Sequence, residues 1–269
     1  MKKIYAILFY SLCPGLVPAQ SVYYPLTIPY LASAKIGGVF INSINASYNP
    51  SLIPYIRNTE AMMYAEKKYL TEINVLLLSF SARFNNNGVS FLFQHSGDPL
   101  FNEQIAGLSY GKNFGIINAG VLFQRVRVNI RGSTAVSVIQ TGIASSMKLN
   151  DNIYAGIKMV NPGIIKAGNN LHAASSYCFI LGWQASSIAY AGFESKKEEG
   201  RPLSVVFTLH YQFGEKFSAA MNWSTTGNQP YVSISWKMLK WMLEAGCSYH
   251  TALGPSPVIS LIYKNNITE

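Results

Sequence analysis

Three residue types that hydrolases combine stand almost side by side at His95, Ser96 and Asp98, and His172 with Ser175 or Ser176 makes a second such set. An acyl-transfer centre would need the hydroxyl, an imidazole to take its proton and a group to orient that imidazole, all within hydrogen-bond reach. With 4 histidines in the chain and serine common throughout, chance adjacency is the better explanation. There is no HExxH, no GxSxG and no GxxxxGK followed by Ser or Thr. Only 12 of 269 residues are Asp or Glu, which leaves no convincing acid pair. The expectation is a non-enzyme with no catalytic residues.

Metal and cofactor chemistry find no better footing. Cys13 falls in a leader-like N-terminus, and Cys178 and Cys247 have neither a close partner nor a histidine at ligand spacing. They read as wall residues, so no metal and no cofactor is expected. The remaining chemical candidates are cationic. Arg125 and Arg127, with Lys148 and Lys158, could form a strip on the lumen or rim of adjacent strands. Such a strip could hold an acyl carboxylate, neutralise main-chain carbonyls or bind a lipopolysaccharide phosphate.

The elements that would position these groups follow from composition. The chain is 49% hydrophobic and 13% aromatic but only 12% charged, about half the usual charged fraction of a soluble domain. The one apolar run that resembles a span, Ile4 to Leu12 behind Lys2 and Lys3, is too short for a bilayer. Pro14, Gly15 and Pro18 break it, and a small-residue site at Val17 to Ala19 follows. It reads as a signal peptide, residues 1–19, cut before Gln20. Its removal lowers the formal charge from +9 to +7, because two lysines leave with it. An exported basic protein meets anionic lipid and lipopolysaccharide rather than nucleic acid. An apolar chain with no spanning helix has one membrane solution, a closed β-barrel, in which every peptide group facing hydrocarbon is paired.

Period-2 alternation supports this. Val205, Phe207, Leu209, Tyr211 and Phe213 oppose Thr208, His210 and Gln212; after Gly214 and Glu215, Phe217, Ala219, Met221 and Trp223 oppose Lys216, Ser218, Asn222 and Ser224. Such segments number about fourteen: 60–68, 71–84, 88–95, 103–110, 115–129, 133–148, 152–160, 174–184, 186–194, 202–213, 216–224, 230–237, 241–250 and 257–264. Short connections alternate with mostly longer ones, as periplasmic turns alternate with external loops. That alternation and the aromatics near strand ends disfavour a soluble sandwich or solenoid. Around Phe123 to Val126 the apolar face changes parity, which predicts a β-bulge. Residues 73 to 80 are apolar on both faces, so Leu76, Leu78 and Phe80 are expected to line the lumen.

Residues 20–58 are apolar, carry Pro25, Pro29, Pro50 and Pro54, and do not alternate. They are expected to pack in the lumen as a plug or hatch; an extra strand pair or a periplasmic lid is the alternative. Residues 59–269 are then the barrel.

Ser33 to Phe40, with Gly37 and Gly38, and Asn45 to Leu52, with Asn49, Pro50 and Leu52, resemble the N-terminal signature of FadL-like outer-membrane barrels, in particular the PorV/PorQ-type group of Bacteroidetes. The closing Ser248 to Pro257 is also similar to the end of such barrels. The chain departs from that pattern at Asn42, Ser43 and Asn45, where acidic residues are usual, and at Ser51, which replaces an Ala-Gly pair. The resemblance implies a fourteen-stranded outer-membrane barrel with an N-terminal hatch. It also implies one of two roles: accessory barrel of type IX protein secretion or surface attachment, with secretion-system proteins as partners, or transporter for long-chain fatty acids and other hydrophobic solutes. The charged loop Glu194 to Arg201 adds a polar surface on which exported proteins could dock.

Overall fold

A computed structural model describes residues 22–23, 34–57, 59–162, 166–167, 171–226 and 229–265 of the chain. The signal peptide, Cys13 and most of residues 20–33 lie outside the described residues. Fourteen antiparallel strands close into one barrel. They are β1 (Thr59–Lys67), β2 (Asn74–Phe84), β3 (Asn87–Gly97), β4 (Phe101–Asn113), β5 (Ile117–Ile130), β6 (Val136–Lys148), β7 (Ile153–Val160), β8 (Ser176–Ser186), β9 (Ala189–Glu198), β10 (Ser204–Phe213), β11 (Phe217–Ser224), β12 (Gln229–Met238), β13 (Trp241–His250) and β14 (Gly254–Asn265). Each strand pairs with its sequence neighbour, and β14 closes on β1 through Ile262↔Met62 and the flanking pairs. All fourteen expected strands are present, most within a few residues of the expected ends. The backbones of Val22–Tyr23, Lys166–Ala167 and Leu171–Ala173 form a separate three-stranded sheet that is not part of the closed one.

The outer face is built for hydrocarbon. Leu108, Leu209, Ile234 and Ile259 point outward mid-wall, while Phe213, Phe217 and Trp236 stack in a row at the short-turn end, with ring centroids 6.1 and 6.4 Å apart. At the long-loop end Phe207 and Trp223 stack at 6.0 Å. Ten residues at about 3.4 Å each, tilted by about 40°, stand about 25 Å tall, the height of an apolar membrane band. No helix among the described residues is long and apolar enough to cross a membrane, which does not bear on crossing by strands.

Pairing in β5 overturns one expectation. Its ladders with β4 and β6 run without a register shift, so there is no bulge at Phe123 to Val126. Parity is kept throughout: Val121, Phe123, Arg125 and Arg127 face out, while Leu122, Gln124 and Val126 face in. The apparent switch arose because Val126 is an apolar residue on the inner face. It packs there with Ile105.

A second correction concerns β2. Leu76, Leu78 and Phe80 face outward, with Leu76 54% exposed, and Val75, Leu77, Ser79 and Ser81 face the lumen. Directly paired residues of antiparallel strands share a face. Leu78 pairs with Phe93 and Phe80 with Phe91, both outward residues of β3.

A fourteen-stranded cylinder is wider than the eight-stranded kind that side chains alone can fill. Here part of the N-terminal segment occupies the interior. Residues 34–42 run along the wall, a short helix α1 (Ser43–Tyr48) follows, and a 3-10 helix spans Pro50–Tyr55. Its apolar side chains lie in two clusters: Ile44 and Tyr48 pack with Met62, Leu77, Leu92, Tyr231 and Ile262, and Ile36, Leu52 and Ile53 pack with Tyr154, Cys178 and Ile180.

Candidate functional site

The site is the lumen, where residues 34–56 meet the inner wall through polar contacts made by several strands. The Ser43 and Ser79 hydroxyls lie 2.6 Å apart, and those of Ser47 and Ser90 2.5 Å apart. Tyr48 donates to Gln94 on β3. Ser109 on β4 donates to the Ser47 carbonyl at 3.1 Å, and Ser146 on β6 to the Ser51 carbonyl at 3.2 Å. On β9, Glu194 accepts from the Ala34 amide at 2.7 Å and the Tyr190 hydroxyl from the Ile36 amide at 2.8 Å. Inward polar side chains, Ser109, Ser146, Tyr190 and Glu194, therefore satisfy main-chain groups of residues 34–51.

Inward glycines let that main chain come close. A Cβ built on Gly111 would strike the Pro50 carbonyl oxygen and lie 3.0 Å from Ile53 Cβ, and one on Gly192 would strike the Ala34 carbonyl oxygen. Gly88, Gly120, Gly156 and Gly182 similarly face Ile53, Pro50 or Ile36. The signal that marks them is their recurrence on the inner parity of neighbouring strands.

The motif residues have local roles. Gly37 and Gly38 have φ of +63° and +80°, a left-handed turn that other L-residues resist. Asn49 caps the 3-10 helix, its Oδ1 accepting from the Ser51 hydroxyl at 2.8 Å; Pro50 takes the first helical position and Leu52 is buried. Asn42 and Asn45, which depart from the acidic pattern of the resembled family, close a reciprocal capping box on α1.

Other candidates are dispersed. His95 and Ser96 lie on opposite faces of β3, Ser96 inward, while Asp98 caps the turn to β4 by accepting from the Leu100 and Phe101 amides. Ser175 donates to the Asn161 carbonyl, and the His172 side chain lies outside the described residues. Cys178 is buried in the lumen cluster, and Cys247 is half-buried on β13. Among the described residues no group of three or more His, Cys, Asp or Glu is placed to hold a metal.

The expected cationic strip does not assemble. Arg125 and Arg127 face outward near the long-loop end of β5, Arg125 donating to Ser137 at 3.2 Å. Lys148 pairs with Asp151 at the opposite end, at 2.8 Å, and Lys158 faces an inner cavity with Lys196 and Glu198. Replacing both arginines by glutamine is expected to leave lumen properties unchanged and to shift unfolding free energy by no more than about 0.5 kcal/mol, as for ordinary surface sites. Urea titration in vesicles measures this, and a loss of several kcal/mol would show buried contacts instead.

Lysines from other parts of the chain converge at the short-turn end. Lys35, Lys216, Lys237, Lys240 and Lys264 line one cavity with Glu215, Glu244 and His210. Burial pushes the Lys35 ammonium below the usual lysine range; Glu244 opposes that shift and Lys264 adds to it.

No protein-family model and no curated protein sequence matches the chain. Among solved structures it is similar to a KdgM porin, at 10% identity and a TM-score of 0.46, over 77% of this chain and 99% of that one. A substituted Rh. blastica porin gives 8% identity and a TM-score of 0.46 over the same shares. Superpositions of this quality carry no argument about activity or partner.

Proposed function

We propose that the chain is an outer-membrane barrel whose lumen is kept shut by residues 34–56. Its work is to hold other proteins at the membrane, as an accessory of type IX secretion or surface attachment. The observation that carries this reading is the ring of contacts between the plug and β2, β3, β4, β6 and β9, which ties its side chains and main chain to the wall at successive points around the lumen. Breaking so many buried hydrogen bonds together is costly, at about 1 kcal/mol each. Resemblance to the PorV/PorQ-type group supplies the class of partner. The short-turn end is taken as periplasmic and the longer loops as external.

Gated passage of fatty acids or other hydrophobic solutes is the second reading. It is favoured by the left-handed Gly37 and Gly38 pair, a bend about which the segment could move. It loses support from the outward direction of Leu76, Leu78 and Phe80, which removes the apolar lumen stripe that motivated it.

Planar-bilayer recording combined with affinity purification from native membranes tests the choice. A sealed docking barrel gives no steady conductance and brings secretion subunits with it. Sustained pore currents, or acyl chains retained in the lumen with no protein partner, would overturn it in favour of passage.

A further inference from the structure

At the short-turn end, a cavity of about 350 Å³ lies between the plug and the wall strands β10 to β14. Five lysines line it, Lys35, Lys216, Lys237, Lys240 and Lys264, together with Glu215 and Glu244. Glu60 is joined to Lys264 at 2.9 Å, so the cavity keeps a surplus of two positive charges. Two lining residues are deeply placed, and one of them has a buried atom with no hydrogen-bond partner. Lys35 is 4% exposed, with the Glu244 carboxylate as an opposing charge and the Lys264 ammonium as a like one. His210 Nδ1 is buried without a partner, while its ring stacks on Phe40 with centroids 4.0 Å apart. Burying an ammonium is costly unless the charge around it balances; Lys35 has one opposing carboxylate, shared among several lysines, and converging lysines are a common phosphate cradle.

We infer that this cavity is an anion site that takes a phosphate group, either free or carried on a lipid headgroup. Its charge surplus matches a dianion, and its volume admits a phosphate with a small attached group. Leu239 and Trp241, which also border the cavity, are exposed at the barrel end where headgroups would lie, and this is the route by which a lipid-borne phosphate reaches the lysines. The inference does not depend on whether the barrel docks proteins or passes solutes.

The test uses the full chain, purified in an uncharged detergent at low chloride and titrated in a calorimeter with inorganic phosphate and with a short-chain phosphatidylglycerol. At least one probe is expected to bind, and to bind tenfold or more weakly to Lys35→Met and to the double variant Lys237→Gln/Lys240→Gln. Binding of inorganic phosphate assigns a free anion as sufficient; lysine-dependent binding of phosphatidylglycerol alone assigns the headgroup. The double variant alters only the cavity mouth, so it reads the site even if Lys35→Met folds poorly. Failure of both probes to bind the unaltered protein, or equal binding by the double variant, overturns the inference.

Discussion

Leucine in place of Gly111 is expected to drive the 3-10 helix Pro50–Tyr55 off the wall while leaving the barrel folded. The new side chain would enter space held by the Pro50 carbonyl and the Ile53 and Pro54 side chains, and main chain cannot swing aside as a flexible side-chain tip can. Overpacking of this kind costs about 1–3 kcal/mol, of the same order as the few hydrogen bonds that hold this stretch, such as that from Ser146 to the Ser51 carbonyl. The β4 ladder itself does not suffer, since a side chain in place of glycine favours an extended strand. Reconstituted protein should keep its heat-modifiable gel mobility, lose protease protection in residues 34–56 and show ion conductance absent from the parent. Gly107→Ala is the control. It lies on the same face of the same strand, and its added carbon meets nothing nearer than 3.4 Å. An unchanged protection pattern in Gly111→Leu would mean that the plug is not seated against β4.

Lysine at Ile234 is expected to give the largest stability loss of any single outward substitution. Ile234 sits mid-way along β12, 59% exposed, with Ala219 and Ala245 as its paired neighbours on β11 and β13. If that face meets hydrocarbon, a charge at mid-depth costs about 2–4 kcal/mol. If it meets water, the same change is nearly neutral. Urea unfolding in lipid vesicles separates the two. A shift below about 0.5 kcal/mol, within the range of ordinary surface substitutions, would remove the membrane reading of the outer face. Leu239→Lys, in the exposed turn between β12 and β13, should be tolerated because that turn lies beyond the apolar band.

Much of the wall was legible in the order of residues. Phe207, Leu209, Tyr211 and Phe213 stand out from their polar neighbours, and the structure points them outward on β10. Where both faces of a strand are apolar the signal vanishes, so Leu76, Leu78 and Phe80 read as lumen residues from their own strand although they face out. The missing information lay one strand away. Phe91 and Phe93 on β3 read clearly as outward, and their partners Phe80 and Leu78 had to share that side. Arg125 misled for a related reason: Val126 faces in to pack on Ile105, which made a continuous strand look bulged.

Alternation of side chains with period 2, the scarcity of charge and the spacing of turns are local or compositional, so they are enough to specify an all-β barrel of fourteen strands. Local sequence also set the caps of the short helices, because Asn42, Asn45, Asn49 and Pro50 act on main chain within three residues. Closure decided the rest. Lys35 comes near Glu244 and Lys264, more than two hundred positions away, only because β14 pairs with β1 and residues 34–56 pack against the inner wall. The glycines that admit the plug are likewise scattered along six strands, and the physical reason they form one trough is that a closed sheet turns every second residue toward a common axis.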